Sequence, residues 1–582
     1  MKLTTPENSS RIVRRVIAGA HRFPDSIHPV LCRVYAARGA YDPTAIDSSL
    51  QGLLRTDDLQ GMRAAVALLV TALQNDHRIV FVADFDADGA TSCALGMRAL
   101  RACGARQVDF VVPNRFEYGY GLTPPIVDLV QAKGADLLIT VDNGISSIEG
   151  VAAAKALGLK VLITDHHLPG ASLPAADAIV NPNGPGDRFP SKALAGVGVI
   201  FYVMLALRAH LRELGWFVAR GLAEPNLAEL LDLVALGTVA DVVPLDANNR
   251  RLVAQGIARI RSGRCQPGIA AILRVAGRDP ARLLASDLGY AIGPRLNAAG
   301  RLADMSLGIE CLVSESPERC CAIASELDAL NLQRRALERE MKVQALDQVL
   351  QELPPTGELP HGICVFDPSW HQGIVGVVAG RVKEIYHRPV IAFALANEDE
   401  LKGSARSIPG VHIRDVLDTV AATYPGLLSR FGGHAMAAGL ALPRAELARF
   451  TAAFDRVIAA HVDPAVLTAQ VYTDGALAAS EMTLELARLL STAAPWGQAF
   501  PEPVFDGEFD IKQSRVVGTD HLRLQLGLGK AIFPAIAFGA AQAPWASGVR
   551  RIRAAYRLSV NEYQGNESLQ LVIEYAEAVD AG

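Results

Sequence analysis

The chain has 582 residues, half of them hydrophobic, eight cysteines and a formal net charge of −5. That length calls for two to four domains, and the hydrophobic share excludes a largely disordered chain. The mild negative charge gives no sign of a nucleic-acid partner, yet it leaves room for a local basic groove.

No apolar run reaches the roughly 18 residues of a bilayer span; LDLVALGTVADVVPL is broken by Asp241 and Pro244. The first residues, MKLTTPENSSRIVRR, lack the apolar core of a signal peptide. A soluble, cytoplasmic protein is therefore expected, without membrane contact. The cysteines include no CxxC pair, and only Cys320 and Cys321 are adjacent, which speaks against a zinc ribbon or a disulfide framework.

From Arg78 to Asn181, short β-branched runs (RIVFVA, VDFVV, DLLITV, KVLIT, DAIV) alternate with helix-length segments. The pattern predicts a parallel sheet with helices on both faces, and sites in such sheets lie at the carboxyl ends of the strands. Polar residues recur at those ends: Asp84 to Asp88, Asn114 and Arg115, Asp142 and Asn143, Asp165 to His167, and Asn181. Such a succession of acids and imidazoles describes one rim. A helical segment after Leu227 ends in another acid, Asp241. A long helix is predicted from Pro317 to Gln351, and the Pro/Gly break ELPPTGELPHG after it marks a domain boundary. A second α/β segment follows from Gly362 to about His461. The tail from about Gln470 alternates as short strands do and suggests a small barrel.

Asp84, Asp86 and Asp88 alternate directly after the first strand. A solvated loop could carry them idly, but clustered carboxylates stay ionised together only when cations neutralise them; otherwise their pKa values rise. Asp142, Asp165, His166, His167 and Asp241 add to the same rim. This mixture of carboxylate and imidazole without thiolate suits Mn²⁺ or Mg²⁺ better than Zn²⁺. The supply is generous for one ion and right for two, which together activate water and stabilise a leaving oxygen in phosphoryl transfer. Metal-dependent hydrolysis of a phosphate ester is the expectation.

DFDADG, VDNGI and the triplet Asp165-His166-His167 resemble the DHH phosphoesterases. GPRLNAAGRL, SWHQGIVGVVAGR, GSARS and FGGHAMAAG follow in order and narrow the resemblance to the RecJ family of single-strand-specific exonucleases. It implies an α/β fold: a parallel-sheet DHH catalytic domain (51–245) after an N-terminal segment (1–50), and a helical connector with a long helix (246–351). A smaller α/β DHHA1 substrate-binding domain (352–462) and an OB-like β-barrel (463–582) complete it. It also implies a 5′→3′ exonuclease on single-stranded DNA, acting in recombination and repair, with two ions of Mn²⁺ or Mg²⁺ and mononucleotide products. By motif, Asp86 binds one ion and Asp88 the other, Asp142 bridges them, His166 and Asp241 complete the second site, and Asp84 lies near the first. His167 either touches phosphate or orients a ligand.

Residues with the right chemistry for the strand are Asn114, Arg115, Arg295, Asn297, Arg301, Arg381, Ser404, Arg406, Ser407, Gly433 and His434. Gly432 and Gly433 suggest a nest-like turn. Phe116, Tyr118, Tyr120 and Trp370 are candidates for stacking on bases, although any one of them could be core. Where relatives commonly read FGxGNPEP, this chain has WGQAFPEP from Trp496 to Pro503, without the Gly-Asn pair. A monomer is expected, with single-stranded-DNA-binding protein and a helicase as partners by resemblance. A phosphodiesterase for short oligonucleotides or cyclic dinucleotides is the nearest enzymatic alternative, which the connector and the tail argue against. A non-catalytic DNA-binding relative would have lost the metal ligands, and this chain keeps them.

Overall fold

A computed structural model describes residues 11–113, 121–352 and 359–579. The run IVFVA becomes the strand Ile79–Ala83, buried at every residue, as a strand covered on both faces must be. It lies between Val108–Val111 and Leu137–Val141, with Lys160–Thr164 and Ala178–Val180 beyond, all parallel. The first strand therefore sits between the second and the third, where the winding reverses. At that reversal the connecting helices leave for opposite faces and open a crevice at the strands' carboxyl ends. DFDADG follows the first strand and DNG the third, so the two acidic turns meet there.

The helices Ala87–Ala102, Gly196–Glu213 and Leu231–Ala240 pack on one another beside this sheet. The helix Pro317–Glu352, 36 residues long, spans about 54 Å. Its Cys320, Ile323, Ala324 and Leu327 belong to the core around the first sheet, while Met341, Ala345 and Val349 belong to a core of the second. One helix is thus clamped at both ends and spaces the two sheets. The second sheet runs Arg430–Gly433, Ala437–Pro443, Glu400–Arg406, Val390–Leu395, Ile363–Phe366, with only the last pair parallel.

The tail closes into a five-stranded barrel from Phe505–Val517 to Asn566–Ala578, which leaves no free sheet edge. The N-terminal residues lie against its beginning. Arg11–Arg14 pairs in parallel with Gln470–Thr473, and the buried Arg38 guanidinium donates to both oxygens of Asp474 at 2.8 and 3.0 Å. The loop that lacks Gly-Asn keeps a glycine-like backbone all the same: Ala499 takes φ 60°, a conformation that glycine adopts without strain. Phe500 fills the core, stacked on Trp496 with ring centroids 5.3 Å apart. Among the described residues no helix is long and apolar enough to cross a membrane.

Candidate metal centre

Asp86 caps the helix Ala87–Ala102, its side chain accepting from the amides of Asp88 and Gly89 at 2.9 and 3.0 Å, as an acid at a helix N-terminus does. Asp142 ends its strand with φ 62°, a left-handed conformation that aspartate tolerates better than most residues. Oxygens of Asp84, Asp86 and Asp142 lie within 4.8 Å of one another; so do ligand atoms of Asp88, His166 and Asp241, and those of Asp142, His166 and His167. Asp142 is common to two of these groups, one on each side.

Asp88 is also structural. Its oxygens accept from the amides of Gly196 and Val197 at 2.6 and 3.0 Å, so the start of the helix Gly196–Glu213 forms the pocket floor. A Cβ on Gly196 would stand 2.7 Å from the Asp142 Cβ, so the close approach requires glycine. The sequence reading missed this floor, whose signal was the small-residue run AGVGV.

Asp165, the first letter of the triplet, is the pivot of the site. It accepts from the amides of Ile145, His166 and His167 at 2.9, 2.7 and 3.1 Å and holds His167 Nδ1 at 2.7 Å. Burial opposes a charge on His167, but Asp165 outweighs it and lifts that imidazole to about 9. Burial, and then the neighbouring His167, push His166 down to about 4, leaving it neutral at pH 7 as a metal-ligating imidazole must be. The His434 ring stacks on His167 with centroids 6.0 Å apart. His434 lies in the turn after Arg430–Gly433, so the second sheet's hairpin reaches the first sheet's rim.

The donor set fits a divalent cation. His166 Nε2 is buried 3.1 Å from Asp142 Oδ1 and 3.5 Å from Asp241 Oδ2, yet has no aligned hydrogen-bond partner among the described residues. Burial, then the neighbouring carboxylates Asp88 and Asp86, hold Asp142 and Asp241 well above the ordinary carboxylate range. Burial and Asp86 bring Asp88 up to about 7. Without a cation the pocket cannot carry its full charge; with one it can.

The helix Gly293–Leu302 fixes the acidic loop. Asn297 accepts from the Ala87 amide at 2.8 Å, and a Cβ on Gly300 would stand 1.8 Å from the Phe85 carbonyl oxygen. Arg301 reaches across to the Gly373 carbonyl at 3.2 Å. Several residues expected to face the substrate have partners within the protein itself. Arg295 is tied to Asp328 of the long helix at 2.8 Å, and Arg381 to Glu338 and Glu384 at 2.8 and 3.0 Å. Trp370 is only 5% exposed and its indole N–H donates to Gln344, so it is core and not a stacking platform. Ser407 is buried and donates to the Val411 carbonyl at 2.6 Å. Gly433 belongs to an edge strand, not to a nest-like turn, and a Cβ there would stand 2.4 Å from the Ala437 carbonyl oxygen. Ser404 and Arg406 are half-buried near that hairpin, Arg406 opposite Ala437. Asn114, Arg115, Phe116, Tyr118 and Tyr120 lie outside the described residues.

Residues 78–238 match the DHH family N-terminal domain, 360–460 the DHHA1 domain and 473–575 the RecJ OB domain. The single-stranded-DNA-specific exonuclease RecJ of Escherichia coli (strain K12) is 51% identical over 564 residues, 96% of this chain and 98% of that protein. The chain belongs to the RecJ family. RecJ of Dickeya dadantii (strain 3937) is 54% identical over 567 residues, covering 97% of this chain and 98% of its own. The crystal structure of RecJ from Thermus thermophilus in complex with Mn²⁺ matches with a TM-score of 0.78 at 29% identity, over 96% of this chain and 77% of that one. The same protein in complex with Mg²⁺ matches with a TM-score of 0.74 at 28% identity, over 96% and 76%.

Proposed function

We propose that this chain is a 5′→3′ exonuclease of single-stranded DNA that holds two ions of Mn²⁺ or Mg²⁺ and releases 5′-mononucleotides. The observation that carries the reading is Asp142, whose carboxylate reaches the Asp84–Asp86 group and the His166 group at once. Divalent ions held in a pair activate water and neutralise charge on a leaving oxygen. Asp84, Asp86 and Asp142 serve one position, and Asp88, Asp142, His166 and Asp241 the other. His167, kept cationic by Asp165, donates a hydrogen bond to a phosphate oxygen, and His434 closes the cleft over it. Ser404, Arg406 and Arg301 line the way for the backbone. Feeding by a helicase and a single-stranded-DNA-binding protein, and a cytoplasmic monomer, belong to the same proposal.

End-labelled single and double strands, digested with Mn²⁺, Mg²⁺ or chelator and sized, test it. The expected result is mononucleotide release from the 5′ end of single strands only, abolished by chelator. Asp142→Ala is expected to stop cleavage while single-strand binding survives; near-normal cleavage by that variant refutes the shared position.

A further inference from the structure

A groove of about 370 Å³ begins one residue away from Asp241, a volume within the range of small-molecule sites. Its walls are the end of the helix Leu231–Ala240 with Val242, the turn at Gly289 and Tyr290, and the strap from Trp496 to Glu502. Two hydrophobic side chains stand exposed at it, Val242 at 63% and Tyr290 at 80%. Val242 has φ 61°, an outlier for a β-branched residue.

Tyr290 sits in the π-helical segment Leu288–Ile292 that runs directly into Gly293–Leu302. Its ring is therefore carried by the element whose Asn297 and Gly300 fix the acidic loop. The extra residue of a π-turn displaces side chains from the helical register. Gly289 lets the turn lie close to the Asp241 helix, since a Cβ there would stand 3.3 Å from Val239 Cγ1.

Among the described residues the lining contains no lysine, arginine or histidine, and its single acid, Glu502, is paired with Arg557. A phosphate finds no cation there. A flat, uncharged ring system fits instead, and every nucleobase has an apolar face. Stacking on an aromatic ring tolerates any base, which suits an enzyme that must advance through every sequence. Gln498, exposed at the rim, can meet the polar edge of whichever base is present.

We propose that this groove binds one nucleobase flanking the cleaved phosphodiester, with Tyr290 as its stacking platform. The proposal rests on the reading of the chain as a single-strand exonuclease. Tyr290 is a positioning residue: it anchors the strand near the metal centre and takes no part in bond cleavage.

The test uses single strands carrying 2-aminopurine at successive positions from the 5′ end, mixed with the full chain in chelator so that nothing is cut. Quenching at a defined position is expected for the native chain and for Tyr290→Phe. Tyr290→Ala is expected to lose that quenching, to bind single strands about 5- to 150-fold more weakly, and in Mn²⁺ to show the loss as a raised KM with kcat little changed. An unchanged melting temperature verifies that this exposed substitution leaves the fold intact. Equal affinity and equal quenching in Tyr290→Ala overturn the groove assignment. A native chain that neither binds nor digests single strands overturns the functional reading beneath it, so the two failures are distinct.

Discussion

Removing divalent ions leaves Asp84, Asp86, Asp88, Asp142 and Asp241 facing one another with His167 as their cation, and the stability of the metal-free protein then depends on pH in a calculable way. His167 is raised to about 9 in the folded chain from an ordinary 6.5. A group raised on folding contributes its full stability below its unfolded pKa and loses it as pH climbs to the folded value. At about 1.4 kcal/mol per pH unit, His167 alone costs about 3 kcal/mol between pH 6.5 and 9. Asp142 and Asp241, also raised by burial and by neighbouring carboxylates, act with the same sign. Below pH 6.5 the effects cancel in part, because His166, held at about 4, gains stability with rising pH while Asp88, raised to about 7, loses it. For a domain of roughly 150–250 residues, 3 kcal/mol is a fall of about 6–12 °C in melting temperature. Thermal unfolding in chelator at pH 6.5 and 9 measures it, and saturating Mn²⁺ is expected to shrink the fall. His167→Gln is expected to remove the share that His167 contributes, leaving that of Asp142 and Asp241. A metal-free melting temperature that is flat or rises over this window, or a His167→Gln variant with the native slope, refutes the electrostatic account of the pocket.

Gly300→Ala is expected to cut the digestion rate by about 100-fold, the scale of a 1 Å misplacement, because the added Cβ meets the backbone oxygen of Phe85 and must move the acidic loop; rates at saturating single strand decide it. Arg38→Ala strips the buried Asp474 of its bidentate partner, leaving it Arg15 at 3.8 Å and the Val504 amide at 3.1 Å, and should cost up to about 3 kcal/mol, read as a lowered denaturant midpoint of the barrel end. Ala499→Gly relieves the φ of 60° and should raise stability by about 0.5–1 kcal/mol net of the glycine's unfolded-state entropy; a loss of stability would mean that the Ala499 methyl makes contacts worth more than the strain.

Much of the catalytic half was legible because its information is local. Each β-branched run is its own strand and each ligand follows its strand directly, so Asp84, Asp142 and His166 could be placed on one rim before the strand order was known. The order itself, with Ile79–Ala83 between Val108–Val111 and Leu137–Val141, is a property of pairing between distant segments and leaves no mark in any one of them. The pairing of Arg11–Arg14 with Gln470–Thr473 is the extreme case, since neither run carries a feature that names the other.

The substrate side was less legible for a different physical reason. An arginine or a tryptophan is available to a ligand only if nothing in the protein has already satisfied it, and that depends on partners far along the chain. Arg295 meets Asp328, Arg381 meets Glu338, and Trp370 meets Gln344, all three partners standing on the one long helix. The sequence predicts that helix from Pro317 to Gln351, ahead of a Pro/Gly break that marks a domain boundary. Its polar face proves to be a row of partners that takes up groups on both sides, so the same helix that sets the distance between the sheets also decides which cations remain for DNA. Tyr290 follows the converse logic: it stands in the π-turn that leads into a helix, 80% exposed at a groove that Ala240 and Val242 also line. Availability, not residue type, separates the groups that can hold a strand from those that hold the fold.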